Sequence, residues 1–309
     1  MKPLLGVLGA VAVLIGAPAG ASAASPFSPY AALGDSYTSA PLVPLWTGQP
    51  PGCVRSTNNY PSDVARALGV QAFTDISCQG STTSKVFDSQ DVSPGGINPP
   101  EITAVTADTN LVTVGLGGND AGLVGVGIQC GELDYNSPTG SKCRDFYTVN
   151  GQDTAQARID QTGPKMAAVI TAIRARAPHA RILIVGYPAV VPVDGSGCWP
   201  VVPISPDDLA YFNGLMVRIN TMLRTTALAN GAEYVDTYTD SIGHDVCKLP
   251  PQKWFEGLVP TSIAFPLHPN IDGEASMARS VLKVLAVQPP PTLTLNLLGL
   301  VRVTLRLGL

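Results

Sequence analysis

Apolar residues in this chain form two kinds of run. Short unbroken ones read as strands: Tyr30-Ala31-Ala32-Leu33, Ala72 to Ser77, Leu111-Val112-Thr113-Val114, Ile182-Leu183-Ile184-Val185 and Ala232 to Asp236. Longer stretches between them carry helical signals. Asn59-Tyr60-Pro61 opens a helix with proline in its first turn, and Leu68-Gly69 lies near its end. From Asp153 to Ala177 the apolar residues recur at helical spacing, through Ile159, Met166, Val169, Ile170 and Ile173, and Pro178-His179 closes the run. Asp207 to Asn230 is a further helix stopped by Gly231, Gly273 to Val287 a last one, and Glu101 to Ala107 a short one. Residues 40–59 and the segment between Cys130 and Cys143 read as loops, and a glycine-rich stretch follows Asp120.

Strand and helix thus alternate about five times, and the strand runs are apolar throughout, as in strands covered on both faces. The pattern predicts a three-layer α/β/α sandwich around a mainly parallel sheet of about five strands, spanning residues 24–287. Ligands of such sheets bind outside the carboxyl ends of the strands. Ser36, Gly80 and the segment Gly117-Gly118-Asn119-Asp120 all follow predicted strands, so they would meet in one crevice.

Composition adds a compartment. Lys2, the apolar Leu4 to Ile15 and the small residues Ala21-Ser22-Ala23 read as a secretory leader over residues 1–23, too short and glycine-broken for a membrane span. Export makes the six cysteines legible as three disulfides, although their spacing does not choose among fifteen pairings. No spacing suggests a metal site, and no cofactor is expected. Charged residues make up only 14% of the chain and the net charge is -4, which excludes a basic nucleic-acid binder. The expected state is a monomer.

An acyl-transfer site needs a nucleophile, a base and donors for an oxyanion. Ser36, in the turn Gly34-Asp35-Ser36, offers the hydroxyl. The backbone N–H groups of Ser36 and Gly80 and the side-chain amide of Asn119 are candidate donors. Three histidines compete as base. His179 reads as a surface residue after a helix, His244 as a loop hydrogen-bonding group, and His268, ahead of the last helix, returns to the strand ends.

These blocks resemble those of the SGNH hydrolases, the GDSL esterases and lipases. Gly34-Asp35-Ser36, Gly80, Gly117-Gly118-Asn119-Asp120 and His268-Pro269-Asn270 occur in the family's order and span nearly the whole mature chain. The resemblance implies Ser36 as nucleophile, His268 as base, and an oxyanion hole of Ser36, Gly80 and Asn119. The cysteine layout is most similar to that of secreted actinobacterial members, whose bonds join sequence neighbours. That implies Cys53–Cys78, Cys130–Cys143 and Cys198–Cys247. The expected activity is hydrolysis of carboxylic or lipid esters through an acyl-serine. Carbohydrate or cell-wall O-deacetylation is the alternative within enzymes, and a non-catalytic envelope or binding protein the alternative outside them.

At one point the chain departs from the family pattern. The aspartate usual three residues before the histidine is replaced by Phe265. Asp272 reads as a cap of the last helix. A Ser–His dyad, with the main-chain carbonyl of Phe265 or a neighbour holding the imidazole, is the expected arrangement, and a carboxylate such as Asp245 or Asp272 on His268 would contradict it. Leu45, Trp46 and Leu258 are candidates for an acyl pocket or for plain packing. Residues 288–309, after the Pro289-Pro290-Pro291 run, alternate as a hairpin about Gly299 and lie outside the resemblance; they are candidates for contact with a membrane or the cell envelope.

Overall fold

A computed structural model describes residues 25–47, 49–286, 292–297 and 301–306. The leader reading of residues 1–23 and the proline run after Val287 lie outside them. Five strands form the central sheet: β1 (Tyr30–Gly34), β2 (Phe73–Asp75), β3 (Leu111–Gly115), β4 (Arg181–Val185) and β5 (Glu233–Val235). Their order is β2-β1-β3-β4-β5, and every pairing is parallel, with Tyr30 opposite both Phe73 and Leu111, and Leu111 opposite Arg181.

Helices cover both faces, which explains why the strands are apolar without alternation. Ala31, Leu33, Val112, Val114, Ile182 and Ile184 pack on one side with residues of two long helices, Thr154–Arg176 and Pro206–Ala229. Tyr30, Ala32, Leu111, Leu183 and Val235 pack on the other against Val64, Met277 and Val281 of helices Tyr60–Ala67 and Ile271–Val284. Consecutive strand residues point to opposite faces, so both cores draw on one run.

Helix appears where the sequence left the chain unassigned or read a loop. The glycine-rich stretch after Asp120 is a one-turn helix, Gly118–Ala121, followed by a longer helix, Leu123–Asp134. Glycine lowers helix propensity, but here tertiary contact outweighs it: a Cβ on Gly127 would already touch the Phe212 ring at 3.5 Å. The segment between Cys130 and Cys143 is accordingly half helical, and Lys142–Tyr147 forms another short helix. The Glu101 to Ala107 helix shrinks to a single 3-10 turn, Glu101–Ala104. Strands Thr292–Leu297 and Val301–Arg306 pair antiparallel as a hairpin.

Three disulfides join Cys53–Cys78, Cys130–Cys143 and Cys198–Cys247, the pairing that the resemblance implies. Of the fifteen pairings, these are the ones whose partners lie within bonding distance in the fold, at Cα separations of 4.4, 4.8 and 5.5 Å.

Candidate active site

Ser36 sits where the strand order reverses, between β1 and β3, at the carboxyl edge of the sheet. Strand β1 stops because Asp35 takes the N-cap of a one-turn helix, Ser36–Ser39, and its carboxylate accepts the Tyr37 N–H at 2.9 Å. Glycine at 34 has a steric reason: a Cβ there would overlap the Thr38 side chain, which also lies against Gly115 of β3. The Gly34-Asp35-Ser36 sequence is therefore a tight exit that leaves Ser36 facing the crevice.

His268 meets this hydroxyl. Its Nε2 lies 2.7 Å from Ser36 Oγ, and its Nδ1 lies 2.8 Å from the carbonyl oxygen of Pro266. A carbonyl can only accept, so Nδ1 carries the proton and Nε2 presents its lone pair to the serine hydroxyl. The orienting carbonyl is thus Pro266, not Phe265. The Phe265 carbonyl instead accepts the backbone N–H of His268 at 3.2 Å, closing a turn. That turn has Pro266 second and Leu267, with φ +63°, third, the pattern of a type II turn. It carries the Pro266 carbonyl to the Nδ1 edge of the ring. Leucine at a left-handed position is strained; Tyr37 Oη holds it by donating to the Leu267 carbonyl at 2.7 Å. The rings of Tyr37 and Phe265 flank the imidazole. Burial lowers His268 from 6.5 to about 4, against the opposing pull of the Pro266 carbonyl. The imidazole is therefore neutral, and able to accept a proton, throughout the neutral range.

The candidate oxyanion donors are free to work. Among the described residues, the backbone N–H groups of Ser36 and Gly80 donate to no protein acceptor. The Asn119 side-chain amide donates to the Ser81 carbonyl at 2.9 Å, which fixes its direction and leaves its second N–H. Gly80, at φ +73°, occupies the backbone region that glycine tolerates best.

Three polar ties lock these strand ends together. Glu101 is fully buried and bridges the first two: one oxygen accepts the Gly34 N–H at 2.9 Å and the other meets Ser81 Oγ at 2.5 Å. Burial pushes its carboxyl up to about 8. Tyr187, just beyond β4, bridges the first and third. Its hydroxyl donates to Asp35 Oδ2 at 2.5 Å and accepts the Gly118 N–H at 2.7 Å. A Cβ on Gly118 would stand 2.9 Å from that hydroxyl, so Gly118 is glycine to admit the tyrosine. Asp120 bridges the second and third by accepting both the N–H and the hydroxyl of Thr83, at 2.9 and 2.6 Å. The sequence signal for Asp120 and Gly118 was present in the third block; Glu101 and Tyr187 lie in no block.

A narrow apolar cavity of about 60 Å3 runs from Ser36 and Asn119 beneath helix Leu123–Asp134. Gly127, Val190, Val202, Phe212, Leu258 and Leu267 are among its walls. Of the acyl-pocket candidates, Leu258 lines it, whereas Leu45 and Trp46 stand in solvent. The other histidines lie elsewhere. His244 stacks on Trp254 at 3.4 Å and contacts the Gln252 carbonyl, and His179 is exposed. The cap of the last helix is Asn270, which accepts the N–H groups of Asp272 and Gly273; Asp272 lies in the first turn rather than at the cap. Asp245 accepts the Cys247 N–H, in another loop. Among the described residues no group of three or more His, Cys, Asp or Glu is placed to hold a metal ion.

Known proteins match this chain over most of its length. Residues 32–275 match the GDSL-like lipase/acylhydrolase family. A protein named lipase 2 from Streptomyces coelicolor is 34% identical over 267 residues, 85% of this chain and 88% of that one. Two crystal structures each superpose with a TM-score of 0.67 over 83% of this chain and 97% of their own: an extracellular lipase from Streptomyces rimosus, 27% identical, and a phospholipase A1 from Streptomyces albidoflavus, 26% identical.

Proposed function

The chain belongs to the GDSL-like lipase/acylhydrolase family and is a carboxylic ester hydrolase, and from that premise we propose that Ser36 and His268 work as a catalytic dyad. The observation that carries this is the 2.7 Å contact between Ser36 Oγ and a His268 Nε2 whose tautomer is set by Pro266. Ser36 Oγ attacks the ester carbonyl carbon as its proton passes to Nε2. The carbonyl oxygen becomes an oxyanion facing the N–H groups of Ser36 and Gly80 and the Asn119 amide. The intermediate collapses, the C–O bond to the alcohol breaks, and Nε2–H protonates the departing oxygen. Water then attacks the acyl-serine, giving its proton to Nε2, and the acid leaves as Oγ regains that proton. The imidazolium formed midway meets the Pro266 carbonyl dipole rather than a carboxylate.

The apolar cavity favours an alkyl chain over an acetyl-only or glycan substrate. A water-sized group needs about 10–15 Å3 of such space. The cavity therefore holds about four to six of them, and longer acyl chains continue outward past Leu258 and Leu267. Three disulfides fit an oxidising compartment, and with the leader-like residues 1–23 they support secretion. The hairpin of the tail supports a contact with the envelope.

Hydrolysis of p-nitrophenyl esters from acetyl to palmitoyl tests the assignment. Ser36→Ala should lower turnover by on the order of 10⁶ and abolish labelling by a fluorophosphonate. A Ser36→Ala protein that keeps its turnover would overturn the dyad.

A further inference from the structure

Three segments that each reach the cavity wall, through Ser36, Val202 and Leu258, contain no Asp, Glu, Lys or Arg: residues 36–54, 195–206 and 257–271, in a chain where 14% of residues are charged. They are also where large apolar side chains stand in water. Leu45 is 72% exposed, Trp46 59%, Val259 80% and Ile263 67%, with Trp199 and Val201 exposed on the segment 195–206. Scattered exposed hydrophobes are ordinary, but a contiguous group at the edge of a site marks an interaction surface.

The segments adjoin. The Phe265 N–H donates to the Pro41 carbonyl at 3.0 Å, and Ala264 packs with Ala40 and Val43, which sets the first segment beside the last. Leu258, next to Val259, shares the cavity wall with Val202, next to Val201. Each is also prevented from folding its apolar residues inward. Thr57 N–H on the Leu45 carbonyl and Thr47 N–H on the Arg55 carbonyl hold Leu45 and Trp46 outward, and Cys53–Cys78 anchors the end of the segment. The buried Glu256 carboxylate accepts from Thr261 N–H and Ser262 Oγ, which pins the loop bearing Val259 and Ile263. Cys198–Cys247 anchors the Trp199 loop.

We propose that these three loops form a docking surface for uncharged or zwitterionic lipid, seating the cavity mouth on a lipid surface so that an acyl chain passes directly to Ser36. The inference rests on the ester-hydrolase reading but adds where the substrate is met. Apolar and aromatic tips with no cations suit the interfacial zone of such a surface, where attraction does not depend on lipid charge. All three loops reach the cavity wall, through Ser36, Val202 and Leu258, so a protein docked on them takes its substrate without first carrying it through water.

The test is co-sedimentation of the full oxidised protein with phosphatidylcholine vesicles, beside hydrolysis of the soluble ester p-nitrophenyl acetate. The pairs Leu45→Ser with Trp46→Ser, and Val259→Ser with Ile263→Ser, should each lower partitioning by about tenfold or more and leave hydrolysis of the soluble ester within about twofold. Partitioning should change little between 0.05 and 0.5 M salt, because no ion pairs are involved. Three results would overturn the proposal: both pairs sediment like the parent; binding occurs only on phosphatidylglycerol vesicles and disappears with salt; or deletion of residues 288–309 abolishes binding while the loop pairs do not. Failure of the dyad is seen separately, as activity that survives in Ser36→Ala.

Discussion

Behind Ser36, Glu101 and Tyr187 are buried and each spans two strand ends, whereas in front of it Leu45, Trp46, Val259 and Ile263 stand exposed in segments without a charge. The difference follows from what each side must do. The rear holds three loops in fixed relation to one another, which directional hydrogen bonds in a low-dielectric setting do well. The front must release water and accept an alkyl chain, which needs surface that no polar partner claims. Buried polar groups are costly unless paired, so the rear tolerates little change, while the front tolerates much and shows it only in substrate preference.

The strongest way to break this contrast is Asn119→Ala, which removes a donor from the rear half. Turnover should drop by on the order of 10²–10³; unchanged turnover would remove Asn119 from the oxyanion hole. Tyr187→Phe comes next. It deletes only the hydroxyl, leaving Asp35 Oδ2 and the Gly118 N–H without their bond. Loosened alignment should lower kcat by on the order of 10–10² with KM nearly constant, and steady-state kinetics on one soluble ester decides it.

A front-side change should behave differently. Gly127→Val inserts methyls between helix Leu123–Asp134 and the Phe212 ring, which already lies 3.5 Å from a Cβ there. Activity on octanoyl esters should fall by about tenfold relative to acetyl esters; an equal loss on both would mean that the cavity is not the acyl site.

The smallest effect lies in stability. Burial raises the Glu101 carboxyl from its ordinary 4.5 to about 8 in the fold. The folded state therefore holds a proton that the unfolded chain has lost, and stability declines as pH rises from about 4.5 through about 8. Glu101→Gln keeps the shape without the titration and should flatten the Tm profile across that window. A profile as steep as the parent's would show that another group is responsible.

Much of this was legible in the chain. Unbroken apolar strand runs require cover on two faces, and that requirement led to the parallel sheet with its ligand crevice at the carboxyl ends. The four blocks pointed to Ser36, Gly80, Asn119 and His268 because local turns, each needing a glycine or a cap, place those residues directly after strands or ahead of the last helix. Helix Leu123–Asp134 was not legible, since its glycines argue against a helix and the Phe212 ring beside Gly127 is brought there only by the fold. The carbonyl on His268 was not legible either: whether residue 265 or 266 faces Nδ1 depends on the left-handed turn at Leu267, which Tyr37 holds from across the site. Glu101 lies 67 residues from Gly34, and Tyr187 lies 152 from Asp35. Hydrogen bonds over such separations leave no local pattern, because they exist only once the sheet has brought the strand ends within 3 Å of a shared side chain.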